Sequence, residues 1–180
     1  PLREEAADAV RELKEAGITK VVMMTGDSER TAAAIAKRVG VDEYYSEVLP
    51  EDKASFVEKE KELGHKVIMI GDGINDSLAL SSASVGIAIS DGAAIAREIA
   101  DVTISADNLH EIVTLKRLST ALMKRIHNNY RTIIGINGGL IALGVTGIIM
   151  PTTSALLHNM STLTISLRSM RNLLPKEEEA

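Results

Sequence analysis

Between Thr132 and Leu167 the chain carries no Asp, Glu, Lys or Arg, a run of about 36 residues. A helix lying on a soluble protein keeps a charged outer face, and no such face can be drawn through this stretch. It is long enough for two helices that each approach the roughly 20 residues needed to cross a bilayer. The first crossing is expected at about Tyr130 to Met150, a turn at Pro151, Thr152 and Thr153, and the return at about Ser154 to Leu174, so that residues 131–174 form a helical transmembrane hairpin. The alternative is a buried helical hairpin of a soluble protein, because Gly, Ser, Thr and Asn dilute the second segment.

The flanks bear on this choice. Lys116, Arg117, Lys124, Arg125 and Arg131 lie before or at the start of the first crossing without an acid among them, and Arg168, Arg171 and Lys176 lie at or after the end of the second, whereas the connecting turn has no charge. Basic residues collect on the cytoplasmic side of membrane helices, so both ends are expected there, against membrane lipid. A basic run also suits nucleic acid, but it has no interleaved aromatics to stack on bases and the net charge is −5, so no nucleic-acid partner is expected. With no cysteine there are neither disulfides nor thiolate metal sites. Gly135 and Gly139 form a G-x-x-x-G pair continued by Gly144 and Gly147, spacing that lets another helix approach closely. Further membrane helices are therefore expected around this hairpin. Residues 107–130, with Leu109, Ile112, Val113, Leu115, Leu118, Leu122, Met123 and Ile126 near helical spacing, read as a basic linker helix at the membrane.

The second crossing contains His158, Asn159, Met160, Ser161 and Thr162. An ionisable side chain at membrane depth is costly unless partnered, and imidazole is a common transition-metal ligand. Two readings stand side by side: a site for a transported metal ion, or a histidine hydrogen-bonded to a neighbouring helix or reaching the extracellular boundary.

Upstream, apolar runs alternate with helical patterns, which predicts a parallel α/β lobe. Helices are expected at Glu4 to Ala16, Glu29 to Val39, Glu51 to Leu63 and Asp91 to Ile99, with Gly17, Gly40 and Gly64 stopping the first three. Strands are expected at Lys20 to Met24, Tyr44 to Val48, Lys66 to Ile70, Val85 to Ile89 and Val102 to Ile104. The run Val67 to Leu80, V-I-M-I-G-D-G-I-N-D-S-L-A-L, delivers Asp72, Asn75 and Asp76 into a turn loosened by Gly71 and Gly73. Oxygen ligands at a strand's carboxyl end suit Mg²⁺ beside a phosphate, although a surface Asp-Gly turn reads the same way locally. The first strand ends in Thr25, Gly26 and Asp27, a hydroxyl and a carboxylate. Between these turns lies Leu49-Pro50-Glu51-Asp52-Lys53, where Pro50 can open a helix. A lysine in a first turn opposes the helix dipole, so Lys53 is expected to be recruited elsewhere.

The order Thr-Gly-Asp, Pro-x-x-Lys, Gly-Asp-Gly-x-Asn-Asp, from about Leu2 to Ile104, resembles the haloacid-dehalogenase-like phosphorylation domain of P-type ATPases. The resemblance implies a partial Rossmann-like sheet, with residues 1–106 the carboxyl-terminal part of that domain. It implies that Asp72 holds Mg²⁺ with Asp76 as its direct or outer partner. Thr25 and Asn75 would donate hydrogen bonds to phosphoryl oxygens, Lys53 would neutralise their charge, and Gly26 and Asp27 would complete the phosphate and ATP contacts. Phosphoryl transfer asks a protein mainly for such positioning and charge stabilisation. Ser77 and Leu78 stand where the family has Ala-Pro, which implies a slightly different helix start.

The family's nucleophilic Asp-Lys-Thr-Gly motif and its Thr-Gly-Glu loop do not occur in these residues. The chain begins at Pro1 and is expected to be a carboxyl-terminal piece whose missing amino-terminal part supplies the acceptor aspartate; the isolated piece is expected to be inactive. A lobe followed by two membrane helices is similar to the heavy-metal-translocating branch, which ends in two such helices. His158 to Thr162 fall where that branch carries metal-selecting residues, but match neither its acidic nor its Met-Ser-Ser pattern, so the metal stays open. The resemblance implies an ATP-driven, Mg²⁺-dependent, multi-pass protein of a bacterial plasma membrane with a cytoplasmic lobe. A membrane-anchored phosphatase of the same superfamily and a non-catalytic regulatory subunit are the alternatives. The charged tail, residues 175–180, is expected to be disordered.

Overall fold

The computed structural model describes residues 5–72, 74–89, 94–104 and 108–173. Gly73, the expected helix starts at Glu4 and Asp91, the domain boundary at residues 106 and 107, and the charged tail lie outside the described residues. The chain divides into two units, Pro1–Leu115 and Lys116–Ala180.

The first unit alternates helix and strand. It comprises α1 (Ala6–Glu15), β1 (Val22–Met24), α2 (Glu29–Val39), β2 (Glu43–Tyr45), α3 (Pro50–Glu62), β3 (Ile68–Gly71), a 3₁₀ turn (Ile74–Asp76), α4 (Ser77–Ser82), β4 (Val85–Ile89), α5 (Ala94–Ile99) and β5 (Val102–Ile104). Every strand pair is parallel, as βαβ connections require. The strands form a two-stranded sheet, β1-β2, and a three-stranded sheet, β3-β4-β5. Helix α2 stops at Gly40, whose φ of 80° closes the helix in the left-handed region that glycine enters without a Cβ clash.

Central strand β4 explains the core. Its sequence V-G-I-A-I is apolar throughout because both faces are covered, and Gly86, Ile87 and Ala88 are buried. Ile87 packs with Ile104 of β5 and Ile112, edged by Leu13, Val85 and Val102. On other sides Leu80 meets Ala88, and Ala79 meets Ala54 and Val57 of α3. Burying each of the Ile, Leu and Val side chains contributes about 1.5–3 kcal/mol, and each alanine methyl about 0.8 kcal/mol. Asp101 ties the connection before β5 to the sheet by accepting the Gly86 N–H at 2.8 Å.

The chain continues in α6 (His110–Val145) and α7 (Pro151–Ser169). Linker helix and expected first crossing are thus one uninterrupted helix. The turn lies earlier than the sequence suggested: α6 ends at Val145, Gly147 takes a φ of 74°, and Pro151 is the first residue of α7 instead of part of the turn. Proline is suited to a first helical position because its missing N–H would be unsatisfied there anyway.

Among the described residues no helix is long and apolar enough to cross a membrane. Two features account for this. The early stop at Val145 leaves apolar Ile148, Ile149 and Met150 outside α6, and α7 is diluted by His158, Asn159 and its Ser and Thr residues. Yet α7 has no buried residue, and Val145 and Met170 are 84% and 81% exposed.

Candidate functional site

The carboxyl ends of β1 and β3 carry the residues that the sequence singles out. After β1, Thr25 is held by its backbone: its N–H donates to Tyr45 O and its carbonyl accepts from Val48 N–H, each at 3.0 Å. Its hydroxyl accepts the Asp27 N–H at 3.1 Å. A hydroxyl has one proton and two lone pairs, so this bond leaves the Thr25 proton available to an incoming acceptor.

The loop facing it is equally fixed. Glu47 N–H donates to Asp27 O at 3.0 Å, and to reach it Glu47 takes a φ of 54°, the left-handed region that non-glycine residues seldom enter. Glu29, in the first turn of α2, accepts the Tyr44 hydroxyl at 2.7 Å and the Ser46 hydroxyl at 2.6 Å. These bonds, Ser46 first, hold its carboxyl below the ordinary range. Sequence reasoning passed over Glu29, Tyr44 and Ser46; the usable signal was an acid at a helix start.

Lys53 extends from the first turn of α3, where Asp52 turns back to accept the Leu49 N–H at 3.2 Å. Its ammonium lies 2.7 Å from Asp76 Oδ1. Asp76 stands at the N-cap of α4 but makes no capping bond with its side chain. The carboxylate is turned toward Lys53, which supplies the partner that the helix dipole denies this lysine in α3. Gly71 makes this arrangement possible: a Cβ there would lie 2.6 Å from Asp76 Cβ. Asp72 and Asn75 are exposed beside the pair, in the turn that follows β3.

Among the described residues no three His, Cys, Asp or Glu side chains form a closed metal site. The donors present are hard oxygens, Asp72 and Asp76. Mg²⁺ typically takes one or two carboxylates and completes its shell with waters and substrate phosphate, so this set fits it.

In the second unit, His158 Nδ1 lies 2.8 Å from Asn137 Oδ1, joining α7 to α6. Ser161 and Thr162 turn their hydroxyls onto the His158 carbonyl at 2.8 and 3.1 Å, and Thr164 bonds Met160 O. Asn159 and Met160 are exposed. Nothing in the sequence singled out Asn137 as the partner of His158.

Comparison with known proteins bears on the fold and on the relatives of the chain. The model of the haloacid dehalogenase-like hydrolase family matches residues 1–84. The chain is 37% identical over 171 residues to a zinc-exporting P-type ATPase of Mycobacterium marinum, covering 94% of this chain and 23% of the relative. It is also 37% identical over 171 residues to a manganese-exporting P-type ATPase of Mycobacterium bovis, covering 94% of this chain and 24% of that relative. A crystal structure of a zinc-transporting PIB-type ATPase in the E2.Pi state superposes with a TM-score of 0.88 at 33% identity, over 97% of this chain and 28% of that one. The chain spans about a quarter of the length of the curated relatives it matches. The chain contains a haloacid-dehalogenase-like domain and shows strong homology, over 94% of its length, to a segment of heavy-metal P-type ATPases.

Proposed function

We propose that this chain is a segment of a membrane pump that uses ATP to move a transition-metal ion through an aspartyl-phosphate intermediate, with the acceptor aspartate supplied by another part of the protein. The observation that carries this reading is the Lys53–Asp76 pair of 2.7 Å beside Asp72 at the end of β3. Asp72 and Asp76 would hold Mg²⁺, which when bound neutralises charge on phosphate oxygens. Thr25 and Asn75 donate hydrogen bonds to those oxygens, Gly26 and Asp27 keep the Thr25 turn in place, and Lys53 adds positive charge. Donors fixed before the reaction stabilise developing charge without reorganising, which is where most phosphoryl-transfer catalysis comes from.

Two features favour a larger assembly. Among the described residues strands β1 and β3 each pair with a single neighbour, which leaves one edge of each open to a further strand. In the second unit, Cβ positions at Gly135, Gly138, Gly139 and Gly144 meet nothing within 4 Å. Glycine surfaces of this kind admit other helices closely in a bilayer. The exposed apolar residues of α6 and α7, among them Ile134, Ile141, Val145, Leu156 and Leu163, suit a membrane hairpin, and the basic flanks suit a lobe on the cytoplasmic side. Relatives at equal identity export zinc and manganese, so the cargo is assigned here only as a transition-metal ion, with His158, Asn159, Met160, Ser161 and Thr162 as candidate contacts.

The test is phosphoenzyme formation from labelled ATP in the full-length protein that carries this segment. Asp72→Ala is expected to lower it by a hundredfold or more, on the order of losing one preorganised electrostatic group. Undiminished phosphoenzyme turnover in that variant, or ATP hydrolysis by the isolated 180 residues, overturns the assignment.

A further inference from the structure

We propose that the charged end of the helical hairpin is a binding site for the phosphate headgroup of an anionic lipid. The site rests on the membrane reading above. A cavity of about 360 Å³ is lined by Lys124, Arg125, Asn128 and Asn129 of α6 and by Arg168 and Arg171 at the end of α7. Among the described residues four cations and no acid line it.

Their tasks differ. Arg125 is committed to the fold: its guanidinium donates to the carbonyls of Ser169 and Asn172 at 2.9 Å, and to that of Arg171. The Ser169 carbonyl is an orphan acceptor at the C-terminus of α7, where a cation also offsets the helix dipole, and the other two belong to the segment that follows. Asn129 reinforces the junction through Ser169 Oγ at 2.6 Å. Lys124, Arg168 and Arg171 have no such employment; among the described residues none of their side chains makes an ion pair or hydrogen bond. Three cations around one cavity, none of them paired among the described residues, are the complement of a phosphodiester, whose oxygens accept several charge-assisted bonds.

A second cavity, about 310 Å³, shares Arg168 and Arg171 and is lined otherwise by Thr164 and Leu167. Beyond it along α7, Leu163 and Met160 stand on the same face as Leu167, all three more than half exposed. Cationic space therefore continues directly into apolar surface. Free phosphate has no use for the second part, whereas a lipid fills both, its headgroup among the cations and an acyl chain along Leu167 and Leu163. Basic residues at the ends of membrane helices lie at the cytoplasmic leaflet, where anionic lipids collect.

The test uses the whole chain synthesised cell-free with vesicles of phosphatidylcholine alone or with one-fifth phosphatidylglycerol, scored by flotation. Insertion into both is expected, with tighter association to the anionic vesicles. Lys124→Gln, which disturbs no described hydrogen bond, should weaken the anionic preference roughly fivefold, and Arg168→Gln with Arg171→Gln should reduce it further by about the same factor each. Lys116→Gln, an equal charge change outside the cavity, should leave it intact. An equal loss with Lys116→Gln overturns the site in favour of diffuse attraction. Displacement of the anionic preference by millimolar inorganic phosphate overturns the lipid assignment. Flotation with no preference between vesicles sinks the headgroup site and leaves the hairpin standing; absence of flotation with either vesicle sinks the membrane reading itself.

Discussion

Lys53 and Asp76, 23 residues apart in the chain, meet at 2.7 Å with side chains only 16% and 11% exposed. The pair joins the first turn of α3 to the turn after β3, so the cation and the carboxylate of the candidate site hold each other in place. Screening by solvent is weak at this depth, so removing one partner leaves the other charge poorly solvated and costs more than at a surface ion pair.

A double-mutant cycle of Lys53→Met and Asp76→Asn should therefore return a coupling of about 1.5–3 kcal/mol, the range for a charge-assisted hydrogen bond. Urea unfolding of the chain measures it. Coupling near zero would mean that the two side chains are neighbours without being partners.

Gly71→Ala tests the close approach that permits this pair. The added Cβ would stand 2.6 Å from Asp76 Cβ and 3.0 Å from Asp76 Oδ2, so the Asp76 turn must shift. Overpacking of this kind costs about 1–3 kcal/mol. We expect a lower urea midpoint and, in the full-length protein, reduced phosphoenzyme formation; a variant as stable as the wild type would show that the turn yields freely.

Acid should loosen the β1–β2 edge. Asp42 accepts hydrogen bonds from Lys14 Nζ and from the Val21 N–H, each at 2.7 Å, and these, Lys14 first, hold its carboxyl below the ordinary range. A depressed folded-state value means that the unfolded chain binds the proton more readily. The stabilisation is complete above the unfolded value, near pH 4, and disappears as pH falls through the lower folded value. Asp42→Asn should be less stable at neutral pH and show a flatter decline of the urea midpoint below pH 4. Parallel declines in both proteins would place the acid sensitivity elsewhere.

His158 separates two roles within one contact. If it only bridges the helices through Asn137, His158→Gln, which retains hydrogen-bonding capacity, should preserve transport in the full-length protein. As a metal contact it should fail with Gln as it does with Ala, by tenfold or more in metal-stimulated ATPase activity, since each lost ligand weakens binding sharply. Zinc, manganese and copper tried in turn identify the cargo. Equal activity of His158→Ala and wild type demotes the residue to packing.

Much of this architecture was legible in the chain. Helix α2 and strands β4 and β5 fall where periodicity and glycine stops put them, because apolar spacing and helix termination are local properties. The strand-end positions of Thr25 and Asp72 follow for the same reason. Helix boundaries near Pro151 were harder, since one proline can close a turn or open a helix, and here its place is N1 of α7.

What the residues alone determined was which groups are present: two carboxylates, a hydroxyl, an amide and a lysine at strand and helix ends, and a long run without charge. Only the tertiary structure decided which groups meet. Lys53 was expected to leave its own helix, but its choice of Asp76 depends on α3 packing against α4 through Ala54, Val57 and Ala79. Likewise Asn137 for His158 and the Ser169 carbonyl for Arg125 are contacts between distant segments. A local pattern cannot encode such choices, because electrostatic and hydrogen-bond partners are selected by distances that packing sets, and those are non-local in sequence.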